Sequence, residues 1–152
     1  PRLEGWWGHK KDERFQMPPD FVPIGGAETW QLSNPPILPL ASMRASLEIF
    51  DRYGMKKIRK KGDLLTGYLE FLLKENCEGF VEIITPEVDR GSMLCVKVKS
   101  EGKKLMDSLS EKGVVIDFRE PDILRMAPAP LYNSFSDVYK LVEIIKNVFV
   151  NK

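Results

Sequence analysis

The sequence has few of the residues on which metal centres and disulfide frameworks depend. Among its 152 residues there is one histidine, His9, and two cysteines, Cys77 and Cys95, which are far apart and form no CxxC pair. This scarcity rules out a multi-histidine metal site, and we expect no bound metal. Unpaired, reduced thiols are the normal state in the cytosol, so a cytoplasmic location is expected.

Long apolar runs and a strong net charge are also missing. No apolar run approaches the ~18 residues that a membrane span needs, and the first residues lack an apolar signal core, so no membrane association is expected. A net charge of +1 gives no sign of a nucleic-acid partner. The basic run at residues 56–61 has Asp51 and Asp63 on either side, which favours a solvated helix face over a track for a phosphate backbone.

The usual sequence templates of independent enzymes are absent. Gly25 and Gly26 stand alone, with no Lys-Ser/Thr pair after them, so there is no phosphate-binding loop. No serine elbow and no paired-carboxylate signature occurs, and a nucleophile–histidine pair would have to use His9. By itself the chain is therefore poorly equipped as a catalyst.

Hydrophobic periodicity predicts an α+β fold with a small, mostly antiparallel sheet covered on one face by helices. A helical stripe of Met43, Leu47 and Phe50 predicts a first helix, and a longer helix follows in which Gly62 and Gly67 are unfavourable residues. The predicted strands are residues 27–33, 80–85, 93–98, 114–118 and 122–126, with the second and third paired antiparallel. The predicted helices are residues 38–51, 55–76, 103–112 and 136–150.

Arg125 lies at the end of a predicted strand, just before two spaced prolines at Pro128 and Pro130. Each proline fixes its own φ and restricts the residue before it, so this segment should be stiff and should hold the preceding side chain in place. A guanidinium group fixed in this way suits a carboxylate or phosphate bound at two points. An ordinary exposed arginine at a strand end explains the pattern equally well.

Four residues of the N-terminal part are further candidates. One is His9, which could polarise a group or shuttle a proton, although a lone histidine more often does neither. Trp6 has an indole N–H that suits an anion and a ring that can stack, although a tryptophan is more often simply packed. Ser33 and Asn34 end the predicted strand ahead of two prolines, where asparagine is also a common turn starter.

Seven segments spread along the chain resemble the kynureninase family, in the part that follows its cofactor lysine. They are GWWGH at 5–9, RFQM at 14–17, LSNPPIL at 32–38, ASLEIF at 45–50, LLTGYLE at 64–70, IITP at 83–86 and RMAPAPLYNSF at 125–135. The resemblance therefore extends from one end of the chain to the other, and the LTGYLE and RxAPxPLYNSF segments are its most specific parts.

The resemblance implies the C-terminal domain of a fold type I enzyme that depends on pyridoxal 5'-phosphate (PLP). Kynureninases are cytoplasmic homodimers with shared active sites. They cleave kynurenine or 3-hydroxykynurenine to anthranilate or 3-hydroxyanthranilate and L-alanine, in tryptophan catabolism and NAD biosynthesis. The implied parts of this chain are a segment bordering the cofactor site with a returning strand (1–39), connecting helices (40–76) and a small α+β domain (77–152).

Matched by motif, Trp6 and Asn34 resemble residues that contact the cofactor phosphate and the substrate end of the pocket. Ser33 and Asn34 lie where the family sets its preference for the substrate ring, and Arg125 matches the arginine that holds the substrate α-carboxylate. No lysine here stands in the family's Schiff-base motif, which the resemblance places before Pro1. We therefore expect no catalytic residue in this chain and no activity from it alone.

Two other interpretations stay open. The chain could be a stand-alone dimerisation or ligand-binding domain without catalysis, in which case its surface should be polar. It could instead resemble another PLP-dependent enzyme of the same superfamily, such as a cysteine desulfurase, which needs a cysteine on a mobile loop near the site. A large uncovered apolar patch would favour the kynureninase interpretation, because such patches mark interfaces.

Overall fold

The computed structural model describes residues 2–150, which divide after Arg52 into two compact units. The first unit contains three short 3-10 helices and most of helix α1; the second contains the remaining helices and all four strands. In chain order, the elements that follow the 3-10 helices are α1 (Ile37–Tyr53), α2 (Met55–Cys77), β1 (Val81–Ile83), β2 (Leu94–Val98), α3 (Gly102–Glu111), β3 (Asp117–Arg119), β4 (Ile123–Met126) and α4 (Phe135–Val150).

The predicted strand at residues 27–33 is wrong. A 3-10 helix, Ala27–Trp30, occupies its first half, and the rest is irregular. The prediction rested on an alternation that places Trp30 and Leu32 on one side and Gln31 and Ser33 on the other. Both apolar side chains are exposed, Trp30 by 63%, while Thr29 is buried. Short alternating segments are ambiguous when no partner strand lies next to them, and this segment has none in the described part of the chain.

Helix α1 forms as predicted, but its apolar stripe is not buried. Pro39 is tolerated because it lies in the first turn, where a backbone N–H has no helical acceptor. No residue of α1 is buried, and large apolar side chains project from it into solvent. The exposed ones are Ile37, Leu38, Leu40, Met43, Leu47, Ile49 and Tyr53.

Helix α2 is continuous through both of its glycines, as its apolar spacing predicts. Gly62 is buried, and a Cβ atom there would lie 2.7 Å from the Ser92 hydroxyl oxygen, so the absence of a side chain permits this close approach. Gly67 is exposed, and a Cβ atom there would meet nothing within 4 Å. The helix tolerates both glycines because its buried face, which includes Leu65, Leu69 and Leu73, packs fully into the core.

The four strands form one antiparallel sheet in the order β1-β2-β4-β3, which confirms the predicted fold class. The predicted β1–β2 pair is present, with Val81 opposite Val98. The predicted strand at residues 114–118 is wrong at its start, because β3 begins only at Asp117. The Val114 N–H instead donates to the Leu109 carbonyl at the end of α3, and Val115 is 96% exposed.

The core of the second unit lies between the sheet and helices α2, α3 and α4. Its fully buried members include Leu94, Val96 and Leu124 from the strands. Helix α4 starts as predicted: the Asp137 N–H donates to Ser134 Oγ, and the Ser134 N–H and hydroxyl donate to the Asp137 carboxylate. These bonds hold the pKa of Asp137 below its usual range.

Candidate functional site

Two glycines bring the N-terminal segment against residues 29–34. A Cβ atom at Gly5 would lie 2.2 Å from Leu32 Cα, and one at Gly8 would lie 2.3 Å from the Thr29 carbonyl oxygen. Both contacts are with backbone, so neither position has room for a side chain. The glycines that flank the two tryptophans therefore permit a backbone approach that brings Trp7 next to Asn34.

Trp7 contacts Asn34 directly. Its indole Nε1–H donates to Asn34 Oδ1 over 2.6 Å, joining two segments that are 27 residues apart. An indole nitrogen can only donate, so the oxygen of the Asn34 amide must face Trp7 and the amide NH2 must face away from it. Within residues 2–150 this NH2 group makes no hydrogen bond, so it remains available as a donor.

Arg14 contacts both the backbone and the ring of Trp7. This arginine is 5% exposed, and its Nη2 donates to the carbonyl oxygens of Trp7 and His9 at 3.2 and 3.0 Å. Its guanidinium carbon also lies 4.9 Å from the centre of the Trp7 ring, within range of a cation–π interaction. A buried cation bonded to the backbone on either side of Gly8 fixes the path of the GWWGH segment.

The other predicted residues of this unit have fewer contacts. Trp6 is 39% exposed and packs edge-on against Phe15, with ring centres 5.5 Å apart, and its indole N–H makes no hydrogen bond within residues 2–150. Ser33 is exposed, and its carbonyl oxygen accepts a hydrogen bond from Gln31. His9 is buried, and its Nδ1 accepts a hydrogen bond from the Val22 N–H. Its other ring nitrogen, Nε2, is buried and has no hydrogen-bond partner within residues 2–150.

In the second unit, Arg125 lies in the wall of a cleft of about 860 Å³. The cleft is bounded by the end of α3, strand β4, the segment after it and helix α4. Arg125 Nη1 lies 3.0 Å from Asp117 Oδ2, and 36% of the arginine side chain is exposed. Two further cations, Lys112 and Lys140, line the same cleft. Two carboxylates, Asp117 and Asp137, line it as well, so its charged side chains carry a small excess of positive charge.

The proline segment after Arg125 is anchored to helix α2. Lys61 Nζ donates to the carbonyl oxygens of Pro130 and Asn133, at 2.7 and 2.9 Å. Asn133 Oδ1 in turn accepts a hydrogen bond from the Ala129 N–H. These bonds supplement the stiffness that the prolines provide by themselves, and they hold one wall of the cleft in place.

Sequence reasoning missed Trp7, Arg14, Asp117 and Lys61. For Trp7 a signal existed, because a tryptophan pair placed between two glycines indicates close backbone packing of that segment. Arg14, Asp117 and Lys61 act through contacts with residues 5 to 72 positions away, and nothing local in the sequence indicates such contacts.

Residues 58–145, more than half of the chain, match the sequence model of the Kynureninase C-terminal domain. The chain belongs to the kynureninase family. This confirms the resemblance inferred from the motifs.

Curated relatives agree with this family membership. A kynureninase of Myxococcus xanthus is 55% identical over 148 residues, which are 96% of this chain and 35% of that protein. A kynureninase of Koribacter versatilis is 51% identical over 145 residues, or 94% of this chain and 34% of that protein. The chain thus spans about a third of the length of the kynureninases it matches.

Solved structures of the same fold come from more distant proteins. A mutant of the cystine C-S lyase C-DES, with glycine covalently linked to its PLP cofactor, superimposes with a TM-score of 0.72 at 15% identity. The match covers 97% of this chain and 38% of that one. At this identity the likeness establishes the fold alone, and it agrees with the predicted α+β class.

Between residues 2 and 150 no three His, Cys, Asp or Glu side chains are grouped so that they could hold a metal ion. Among the helices of this part of the chain, none is both long and apolar enough to span a membrane.

Proposed function

We propose that this chain is the C-terminal part of a PLP-dependent kynureninase. The enzyme would hydrolyse L-kynurenine or 3-hydroxykynurenine to anthranilate or 3-hydroxyanthranilate and L-alanine, working as a homodimer. The proposal rests on the position of Arg125. In this chain, which belongs to the kynureninase family, Arg125 lies in the wall of a cleft that two other cations also line. We also propose that these 152 residues are inactive alone, because none of their lysines stands in the family's Schiff-base motif.

The residues present in the first unit fit a cofactor with a phosphate group. The Trp6 indole N–H and the Asn34 NH2 are donors without partners in residues 2–150, and both side chains are partly exposed. Such donors suit phosphate oxygens. PLP, when bound, supplies the electron sink that carbon–carbon cleavage next to an amino acid centre requires. In this proposal Trp6 and Asn34 hold the cofactor, and Trp6 also provides an aromatic wall.

Arg125 would bind the α-carboxylate of the substrate. Its planar fork can offer two parallel N–H donors to a carboxylate, while Nη1 remains bonded to Asp117. Fixing the amino acid end at two points orients the bond to be broken, and positioning of this kind contributes several kcal/mol to catalysis. Asn34 and the neighbouring Ser33 would contact the substrate ring, where they would influence the choice between kynurenine and its 3-hydroxy form.

The structure gives reasons to prefer this proposal to the two other interpretations. A desulfurase-like enzyme needs a reactive thiolate on a mobile loop, but Cys77 is buried in α2, and its burial raises the pKa of its thiol to about 11. Cys95 lies within strand β2. A stand-alone domain should present a polar surface, whereas α1 exposes seven large apolar side chains.

The experiment that tests the proposal is an Arg125→Gln change in the complete PLP-loaded enzyme that contains this chain. We expect KM for kynurenine to rise and kcat/KM to fall by on the order of 10²-fold or more, because the carboxylate loses its bidentate partner. Arg119→Gln is the matched control, since Arg119 also contacts Asp117 but does not line the cleft. It should change kcat/KM by less than about threefold. Wild-type kinetics in Arg125→Gln would remove Arg125 from this role.

The inactivity of the isolated chain has its own test. The 152 residues are mixed with PLP and examined for a visible absorbance band that disappears when lysines are blocked. We expect no such band. A lysine-dependent band would mean that the chain holds the cofactor covalently by itself.

A further inference from the structure

We propose that Trp7 is a positioning residue that fixes the direction of the Asn34 side chain, so that the Asn34 NH2 group faces the ligand. This inference rests on the proposed function for the identity of the ligand. To the proposed site it adds one residue, Trp7, and it specifies that Asn34 donates a hydrogen bond to the ligand. The group that Asn34 contacts must be a hydrogen-bond acceptor, which is a phosphate oxygen if the ligand is the cofactor and a carbonyl or hydroxyl oxygen if it is the substrate.

The polarity follows from the donor inventory of the two side chains. An asparagine amide can turn over and exchange its oxygen and nitrogen, so by itself it accepts or donates equally well. Trp7 removes this freedom, because its N–H has no acceptor function and lies 2.6 Å from Asn34 Oδ1. Turning the amide over would set two donors against each other. Asn34 is therefore held as a donor before any ligand arrives.

Trp7 can impose this direction because its own position is fixed. The buried Arg14 lies against its ring and bonds to its carbonyl oxygen, and the backbone at Gly5 and Gly8 packs closely against that of Leu32 and Thr29. Asn34 has no such support of its own, since its side chain is exposed and Pro35 follows it without an N–H to offer. The direction of the Asn34 amide thus depends on the indole.

The test compares Trp7→Phe with Asn34→Ala and the double variant in the complete PLP-loaded enzyme. Phenylalanine keeps an aromatic ring above Arg14 and removes only the N–H donor. We expect Trp7→Phe to raise either the dissociation constant of PLP or KM for kynurenine by about 5- to 10-fold, with kcat changed less than twofold. The constant that rises identifies the cofactor or the substrate as the ligand. In the Asn34→Ala background the same change should have no further effect.

Trp30→Phe is the matched control, because Trp30 is mostly exposed, its ring lies against the Arg2 guanidinium, and its indole N–H makes no hydrogen bond to Asn34. It should leave both constants unchanged. Wild-type constants in Trp7→Phe, together with impaired Asn34→Ala, would overturn the role of Trp7 and leave the proposed function intact. Wild-type constants in Asn34→Ala would instead remove Asn34 from the site and overturn both assignments.

A spectroscopic measurement on the 152-residue chain tests the contact without catalysis. Asn34→Ala should shift the indole N–H resonance of Trp7 upfield and speed its exchange with water, while the Trp30 resonance stays in place. An unmoved Trp7 resonance would show that the hydrogen bond is not formed, and the inference would fall even if Trp7→Phe proved too unstable to assay.

Discussion

Asp117 and Arg125 are directly opposite each other on neighbouring antiparallel strands, and their side chains meet over 3.0 Å. The register of β3 against β4 therefore assigns a carboxylate to the arginine that we propose as the substrate anchor. Asp117 Oδ2 also accepts a hydrogen bond from Arg119 Nε, so one carboxylate oxygen contacts two guanidinium groups. One donor group of Arg125 is thus occupied, and the others remain available to the cleft.

Asp117→Asn should loosen this anchor. The exposed ion pair is worth at most about 1 kcal/mol, so we expect KM for kynurenine to rise about two- to fivefold with kcat nearly unchanged. Steady-state kinetics of the complete enzyme measure both constants. A lower KM would show instead that Asp117 acts mainly by repelling the substrate carboxylate.

Lys61→Met should destabilise the second unit by about 1–3 kcal/mol, because two carbonyl oxygens lose a charged donor. Lys60→Met is the control, since Lys60 is exposed and makes no hydrogen bond or ion pair within residues 2–150. All three tryptophans lie before residue 31, so tryptophan fluorescence follows the urea unfolding of the first unit. Helices α2, α3 and α4 belong to the second unit and most of α1 to the first, so helical circular dichroism follows mainly the second unit. Equal stability of the two variants would contradict the anchoring role of Lys61.

Gly62→Ala and Gly67→Ala form a matched pair within α2. Alanine at Gly67 should stabilise the helix by about 0.5–1 kcal/mol, because nothing lies near the new methyl group. At Gly62 the methyl group meets the Ser92 hydroxyl, so the gain should vanish or reverse. Adding Ser92→Gly to Gly62→Ala should restore part of it. The free energies of unfolding come from the same urea curves, and identical values for the two alanine variants would refute the close contact.

Glu70 should make the free energy of unfolding depend on pH. Hydrogen bonds from Arg90 and Lys74 lower the pKa of this carboxyl below its ordinary value of 4.5, so the folded state holds its negative charge more firmly than the unfolded state does. The stabilisation is complete above about pH 4.5 and is lost as the pH falls through the depressed pKa of the folded state.

The measurement is the difference in free energy of unfolding between wild type and Glu70→Gln. We expect about 1–3 kcal/mol at neutral pH, shrinking steadily below pH 4.5. Glu75→Gln is the control, because Glu75 is exposed and has no ion pair within residues 2–150. A Glu70→Gln difference that stays constant between pH 7 and pH 3 would exclude this linkage.

Gly5→Ala should disturb the first unit, since its methyl group would overlap the Leu32 backbone. Overpacking of this kind costs about 1–3 kcal/mol, and the Trp7–Asn34 contact should be lost with it. Gly25→Ala is the control, because nothing lies within 4 Å of its added Cβ. Tryptophan fluorescence and the Trp7 indole resonance report the change, and an unaltered spectrum would argue against the close approach.

The sequence allowed the elements of the second unit to be predicted because their apolar spacing matches what they bury. Leu65, Leu69 and Leu73 follow a helical repeat and are fully buried, and the alternation of β2 places Leu94, Val96 and Val98 in the core. The repeat of α1 also predicted a helix correctly, but the apolar side chains of this helix are exposed. Periodicity reveals which face is apolar and does not reveal what covers it.

The site was harder to predict than the fold. Motif resemblance selected Trp6, but in the structure it is the adjacent Trp7 that contacts Asn34. Which of the two tryptophans faces Asn34 depends on the 3-10 turn that contains them and on the close backbone packing at Gly5 and Gly8. The pairing of Asp117 with Arg125 likewise depends on strand register, which a three-residue strand does not specify by pattern. The roles of Trp6, Ser33, Asn34 and Arg125 stay predictions that the experiments above address.

Strand β3 is one of the two edge strands of the sheet, and its sequence disfavours pairing with a further strand. It has only three residues, two of them charged, and Pro121 follows close behind without an amide proton. A strand of another molecule that paired with β3 could form few backbone hydrogen bonds, and Asp117 and Arg119 would lose contact with water. Asp117, which contacts Arg125, is therefore also expected to disfavour the addition of a further strand at this edge, and a variant in which Asp117 and Arg119 are both neutral should aggregate faster at high concentration.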